Sequence, residues 1–84
     1  MYYLYILKCA DKTLYTGICT DLARRVREHN SSVLGAKYTR GRRPAKLVFS
    51  KKFRGRSAAA AAEYRVKRLS RSEKMAIIRG GKVL

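Results

Sequence analysis

Acidic residues are scarce. Five Asp and Glu stand against 21 Lys and Arg, giving the 84-residue chain a formal net charge of +16 at pH 7. Self-repulsion on that scale calls for a polyanionic partner, either nucleic acid or an anionic membrane face. Long apolar runs are missing as well. Nothing approaches the roughly 20 residues that a spanning helix needs, which favours nucleic acid and predicts no membrane association. Cysteine and histidine are equally thin: Cys9 and Cys19 cannot make a disulfide scaffold, and with His29 the single histidine no zinc pattern can be assembled. Both thiols read as small, half-buried strand residues. Met1 to Leu7 lacks the basic leader and small-residue cleavage site of a secretory signal, and a cytoplasmic location is the expectation.

What is present fits one small domain, residues 1–84, whose single core buries roughly 60–65% of the unfolded surface; function then belongs on the surface or in a shallow cleft. Residues 2–9 and 13–19 are aromatic and aliphatic enough for strands, and the polar gap between them predicts an antiparallel hairpin. Tyr5 and Tyr15 share a face of it if the loop holds an odd number of residues or a bulge changes the parity, and a three-residue loop, Asp11 to Thr13, is expected. Residues 20–30 read as a helix capped by Thr20 or Asp21, with Leu22 and Val26 on its inner face. Arg25 and His29 stack one turn apart beside that stripe, on what would be a cleft wall, whereas Arg24, Arg27 and Glu28 read as solvated.

From Ser31 to Lys46 periodicity vanishes, and Gly35, Gly41 and Pro44 punctuate a basic loop. Leu47 to about Phe53 restores β character. Ser57 is placed to cap a helix over 58–69 with a buried stripe of Ala59, Ala62, Val66 and Leu69. Ser70 and Glu73 form a capping box for a last helix that ends at Gly80-Gly81. The expected fold is α+β, a three-stranded, mostly antiparallel sheet flanked by helices, with a cleft over the first hairpin and the second helix.

The loop combines phosphate-seeking charge, Lys37, Arg40, Arg42, Arg43 and Lys46, with a stacking ring, Tyr38. No base-reading motif accompanies it, so contacts to the nucleic-acid backbone and selectivity for shape are expected. The remaining polar residues each have a plain reading. Tyr5 and Tyr15 suit strand packing, and Gly17 suits a bulge or a close backbone approach to phosphate. Arg25 is one helix charge among many; His29 suits a helix C-terminus; Glu63 can pair with Lys67 four residues on.

Taken in order, these residues resemble the GIY-YIG nucleases, whose Gly-Ile-Tyr and Tyr-Ile-Gly strands precede a helical arginine and a later helical glutamate. The corresponding stretches are Tyr3-Leu4-Tyr5 and Tyr15-Thr16-Gly17, followed by Arg25 eight residues after Gly17, His29 one turn further, and Glu63. The likeness covers nearly the whole chain and looks like the small stand-alone bacterial branch of that superfamily. Tyr3 replaces the first glycine, Leu4 and Thr16 replace the isoleucines, and no asparagine follows Glu63 where several relatives have one. The resemblance implies a metal-dependent DNA endonuclease with Tyr5, Tyr15, Arg25, His29 and Glu63 catalytic, Glu63 holding Mg²⁺ or Mn²⁺, and Tyr5 acting as base while Tyr15 orients phosphate or water. It implies DNA as partner, in a repair or recombination setting, with monomer and weak dimer both open. The alternative is a non-catalytic nucleic-acid-binding protein on the same scaffold.

Overall fold

The computed structural model describes residues 1–31 and 34–80. Tyr2–Lys8 forms β1 and Leu14–Cys19 forms β2, antiparallel and paired Lys8 to Leu14, Leu7 to Tyr15 and Tyr5 to Gly17. The connecting loop has three residues, but it sits one position earlier than the sequence predicts. The Cys9 N–H donates to the Thr13 carbonyl and the Lys12 N–H to the Cys9 carbonyl, each at 2.9 Å, so the loop is Ala10 to Lys12. Asp11 sets this offset, because its Oδ1 accepts from the Thr13 N–H at 3.1 Å and from the Thr13 hydroxyl at 2.6 Å. Those bonds hold Thr13 as the closing residue.

The loop needs a left-handed residue in its last position, and Lys12 takes it at φ 69°. A side chain there costs about 1 kcal/mol. Lys12→Gly should therefore stabilise the domain by about that amount and raise Tm by roughly 4–8 °C. A lower Tm in a calorimetric scan would show that the Lys12 side chain contributes more than its backbone costs.

Lys46–Phe53 forms β3, antiparallel to β1 on its other side, in the order β2-β1-β3. Ile6 pairs with Phe49 and Leu7 with Leu47, leaving Val48 as the extra residue of a bulge. β1 is thus the central strand, and its alternation serves both faces of the sheet. Leu4 and Ile6 pack with Ala62, Val66 and Ile77 on one side. On the other, Tyr5 and Leu7 pack with Ala45, Cys9, Leu22 and Val26. The three-stranded α+β fold is the one the sequence predicts, with every strand pair antiparallel.

Leu22–Ser31 forms α1, Lys37–Arg40 α2, Arg56–Lys67 α3 and Arg71–Ile78 α4. Asp21 caps α1 by accepting the Arg24 N–H at 3.1 Å. The capping box of α4 is complete: Ser70 Oγ accepts from the Glu73 N–H at 3.2 Å and Glu73 Oε1 from the Ser70 N–H at 2.9 Å. Gly80 follows α4 at φ 80°; Gly81, expected to close the helix with it, lies outside the described residues. Ala59, Ala62 and Val66 are fully buried, as their spacing predicts, whereas Leu69, expected on the same stripe, lies beyond the end of α3 and is half-buried.

Two further expectations need correction. α3 starts at Arg56 with Gly55 as its N-cap and no side-chain cap bond, so Ser57 falls inside the first turn instead of capping it. The stretch from Ser31 to Lys46 also contains the single turn α2, too short for any periodicity to announce. Asn30 ties this region to the sheet: its Nδ2 donates to the Ala45 carbonyl at 2.9 Å and its Oδ1 accepts the Ala45 N–H at 2.6 Å.

Candidate active site

Because Leu7 opposes Tyr15 and Tyr5 opposes Gly17, both tyrosines project from the α1 side of the sheet, with ring centroids 6.4 Å apart. Gly17 leaves room for this. A Cβ at that position would stand 2.6 Å from the Tyr5 hydroxyl and 2.8 Å from its Cζ. The pairing runs through Gly17 without a bulge, and the space above it holds the Tyr5 phenol.

α1 lays His29 over that phenol. The imidazole is fully buried, with Nε2 2.8 Å from the Tyr5 hydroxyl and Nδ1 2.7 Å from the hydroxyl of Thr39. The Tyr15 ring lies 5.1 Å from it. Arg43 Nε donates to the His29 carbonyl at 2.6 Å. Burial pushes the His29 pKa down to about 4, with the charge of Arg25 adding to the shift. Burial likewise pushes Tyr5 up to about 12, outweighing the hydrogen bond from Arg25 that favours the phenolate. At neutral pH both groups are uncharged, so the cationic surroundings do not by themselves make Tyr5 a phenolate.

Arg25 stands one turn before His29, half-buried. Its Nη1 donates to Glu28 Oε1 at 2.8 Å and to the Leu34 carbonyl at 2.7 Å. Glu28, read from the sequence as solvated, is in fact half-buried and holds this guanidinium, while Arg24 approaches its other oxygen at 3.7 Å. The reason is spacing: three residues on a helix bring Glu28 against Arg25 on the half-buried edge.

The basic segment is more integrated than a solvated loop. Tyr38 stacks on Tyr15 at 5.8 Å, and the Arg42 guanidinium lies 4.1 Å over the Tyr38 ring. Arg42 also donates to Asp11 Oδ2 at 2.9 Å and to the Tyr38 carbonyl at 2.8 Å. Tyr38, Arg42 and Arg43 are therefore engaged in building the site, whereas Lys37, Arg40 and Lys46 are exposed.

The bond that Glu63 makes lies within its own helix. α3 packs its buried stripe against the Leu4 and Ile6 face, away from Tyr5, and the half-buried Glu63 carboxylate pairs with Lys67 at 3.2 Å. Among the described residues no hydrogen bond or ion pair links Glu63 to Tyr5, Tyr15, Arg25 or His29. Nor do three or more His, Cys, Asp or Glu gather, or an enclosed pocket form, among the described residues. The residue that sequence reasoning missed is Thr39, fully buried on α2. Its only sequence signal was a small hydroxyl residue between Tyr38 and Arg40.

A model of the GIY-YIG catalytic domain matches residues 1–76. The chain belongs to the GIY-YIG family. Among its GIY-YIG relatives, a UPF0213 protein of Desulfotalea psychrophila is 51% identical over 93% of this chain and 71% of its own length. One of Natronomonas pharaonis is 49% identical over 92% and 89%. The solution structure of a UPF0213 protein from Bacillus halodurans aligns with a TM-score of 0.61 at 46% identity, over 94% of this chain and 84% of that one. A protein of E. faecalis aligns at 0.65 and 42% identity, over 94% and 83%. The GIY-YIG domain places the chain in an endonuclease superfamily and implies a nucleic-acid substrate. No helix among the described residues is long and apolar enough to cross a membrane.

Proposed function

We propose that this chain is a metal-dependent DNA endonuclease selective for structure rather than sequence. One observation carries the reading: a phenol bonded to a sealed, uncharged imidazole, with a guanidinium beside both. Neither Tyr5 nor His29 can hold charge cheaply at rest, so proton transfer through them is best made in one movement. As the oxygen of a water attacks phosphorus, Tyr5 takes the water's proton while its own passes to His29 Nε2. The bond from phosphorus to the leaving oxygen breaks, that oxygen takes a proton from solvent, and His29 then returns its proton to Tyr5, whose own proton passes to solvent. Tyr5 is only 1% exposed, so a movement of the neighbouring half-buried Arg25 or Tyr15 must admit the water.

Arg25, held in orientation by Glu28, offers its fork to the phosphate oxygens as negative charge builds on them. The phosphate in turn offsets the Arg25 charge that disfavours a protonated His29. Tyr15 then orients the phosphate or the water. A hard divalent cation needs only one protein carboxylate when water and phosphate supply its other ligands. Glu63 fits that role, and the ion it would hold, Mg²⁺ or Mn²⁺, supplies Lewis-acid polarisation of the phosphate.

One observation favours the second reading, a binder without turnover: Glu63 is paired with Lys67 and unconnected to the tyrosine–histidine group. Purified protein incubated with supercoiled and branched DNA, with Mg²⁺, Mn²⁺ or chelator, decides between them. Glu63→Ala and Arg25→Lys should bind DNA nearly as well as wild type and fail to nick it. Intact binding with no nicking by wild type in either metal would establish the binder.

DNA affinity should fall steeply with salt. Replacing the exposed Lys37, Arg40 and Lys46 by Ala should flatten the plot of log K against log salt by about 0.9 for each phosphate that is no longer neutralised. An unchanged slope would move the binding face elsewhere.

A further inference from the structure

A buried neutral imidazole carries one proton, and which nitrogen bears it decides whether His29 can receive a proton from Tyr5. If Nε2 were protonated it would donate to the Tyr5 oxygen and could accept nothing from it. The choice is made at the other nitrogen, Nδ1, which faces the Thr39 hydroxyl at 2.7 Å. That hydroxyl has a single proton, and the Ala36 carbonyl accepts it at 3.0 Å. What Thr39 then presents to the ring is a lone pair.

The bond to Ala36 fixes this orientation of the hydroxyl. Thr39 and His29 are both fully buried, so no bulk water competes for either. The Ala36 carbonyl that takes the Thr39 proton also accepts the backbone N–H groups of Thr39 at 3.0 Å and Arg40 at 3.2 Å, which fixes it at the start of α2. A rival donor to Nδ1 exists in the Ala36 N–H, but at 3.4 Å it is far longer than the 2.7 Å contact. With its proton on Ala36, Thr39 faces Nδ1 as an acceptor.

We infer that Thr39 is a positioning residue that sets the tautomer of His29, holding the proton on Nδ1 and leaving Nε2 as a bare acceptor for the Tyr5 hydroxyl. The consequence for turnover rests on the endonuclease reading; the tautomer itself does not. When the Tyr5 proton arrives, both ring N–H groups have partners, Thr39 and Tyr5, and no atom needs to move.

Nitrogen-15 NMR of the full chain tests this without DNA. Wild type should show Nδ1 as the protonated, pyrrole-type nitrogen and Nε2 as the unprotonated, pyridine-type one. Thr39→Val removes the hydroxyl at nearly constant shape and should shift His29 toward the Nε2–H form, in which Nδ1 accepts from Ala36. It should also lower the nicking rate roughly 10²- to 10⁴-fold with DNA affinity unchanged. Thr39→Ser should restore both the wild-type tautomer and the rate, which a purely space-filling role for Thr39 would not predict. A protonated Nε2 in wild type, or a Thr39→Val protein whose folded spectrum keeps the wild-type tautomer, overturns the inference. A wild type with the expected tautomer that nicks no DNA in either metal leaves Thr39 in this role and removes the endonuclease reading instead.

Discussion

Between pH 6.5 and about 4 the folded chain will lose about 3 kcal/mol of stability through His29 alone. The folded imidazole has its pKa pushed down to about 4, whereas in the unfolded chain it titrates near 6.5. Across that window the unfolded state takes up a proton that the folded state refuses. Stability contributed by the neutral ring is therefore complete above pH 6.5, falls as the pH is lowered, and is gone below about 4. The ring is fully buried, so solvent gives the charged form no relief, and Arg25 and Arg43 oppose it while only Glu28 favours it. The Asp11 carboxyl, lowered chiefly by its hydrogen bond from the Thr13 hydroxyl, adds its own loss only below the ordinary carboxylate range and does not blur the effect. Urea titrations at pH 7, 5.5 and 4.5 should show the midpoint falling for wild type and holding level for His29→Gln. A wild-type midpoint that stays put over that range would mean that the imidazole reaches water.

Gly17→Ala should cost roughly 100-fold or more in nicking, and about 1–3 kcal/mol in stability. The new methyl carbon would sit 2.6 Å from the Tyr5 hydroxyl, an overlap that one of the two must relieve. Tyr5 cannot yield cheaply, since it is buried and bonded to His29 at 2.8 Å. The ring must leave its place, which breaks the phenol–imidazole bond, or β2 must part from β1, which moves Tyr15 away from Tyr5 and His29. Gly41→Ala is the control, because nothing stands within 4 Å of a Cβ there and its φ of −91° suits any residue, and its Tm and nicking rate should match wild type. Equal behaviour of the two variants would show that Tyr5 is not seated over Gly17.

The hairpin parity, the shared face of Tyr5 and Tyr15, the alanine stripe of α3 and the Ser70–Glu73 box were all legible in the sequence. Each depends on neighbours a few positions away, and periodicity or cap chemistry records such local relations. The burial of His29 was not legible. Spacing puts it beside Arg25, but what seals it is Thr39, ten residues further on, carried by a turn too short to leave a pattern. Glu28 misled for a related reason. A lone acid among cations reads as solvated, and its role in holding Arg25 emerges only where the helix edge is covered. Glu63 shows both kinds of signal: its spacing matches the family motif, and its i, i+4 pairing with Lys67 was legible from the same helix spacing. The fold could be read from the chain; the wiring of the site depended on contacts between distant segments.

β3 lies at an open margin of the sheet, where unpaired amides and carbonyls would normally invite another chain to add a strand. Lys46, Lys51 and Lys52 line that margin and are exposed, and two copies brought edge to edge antiparallel would set these ammonium groups against one another. Their repulsion opposes such edge-to-edge pairing. That opposition depends on free charge, so the polyanion that attracts the protein would also, where it covers these lysines, lower the barrier that keeps neighbouring copies apart.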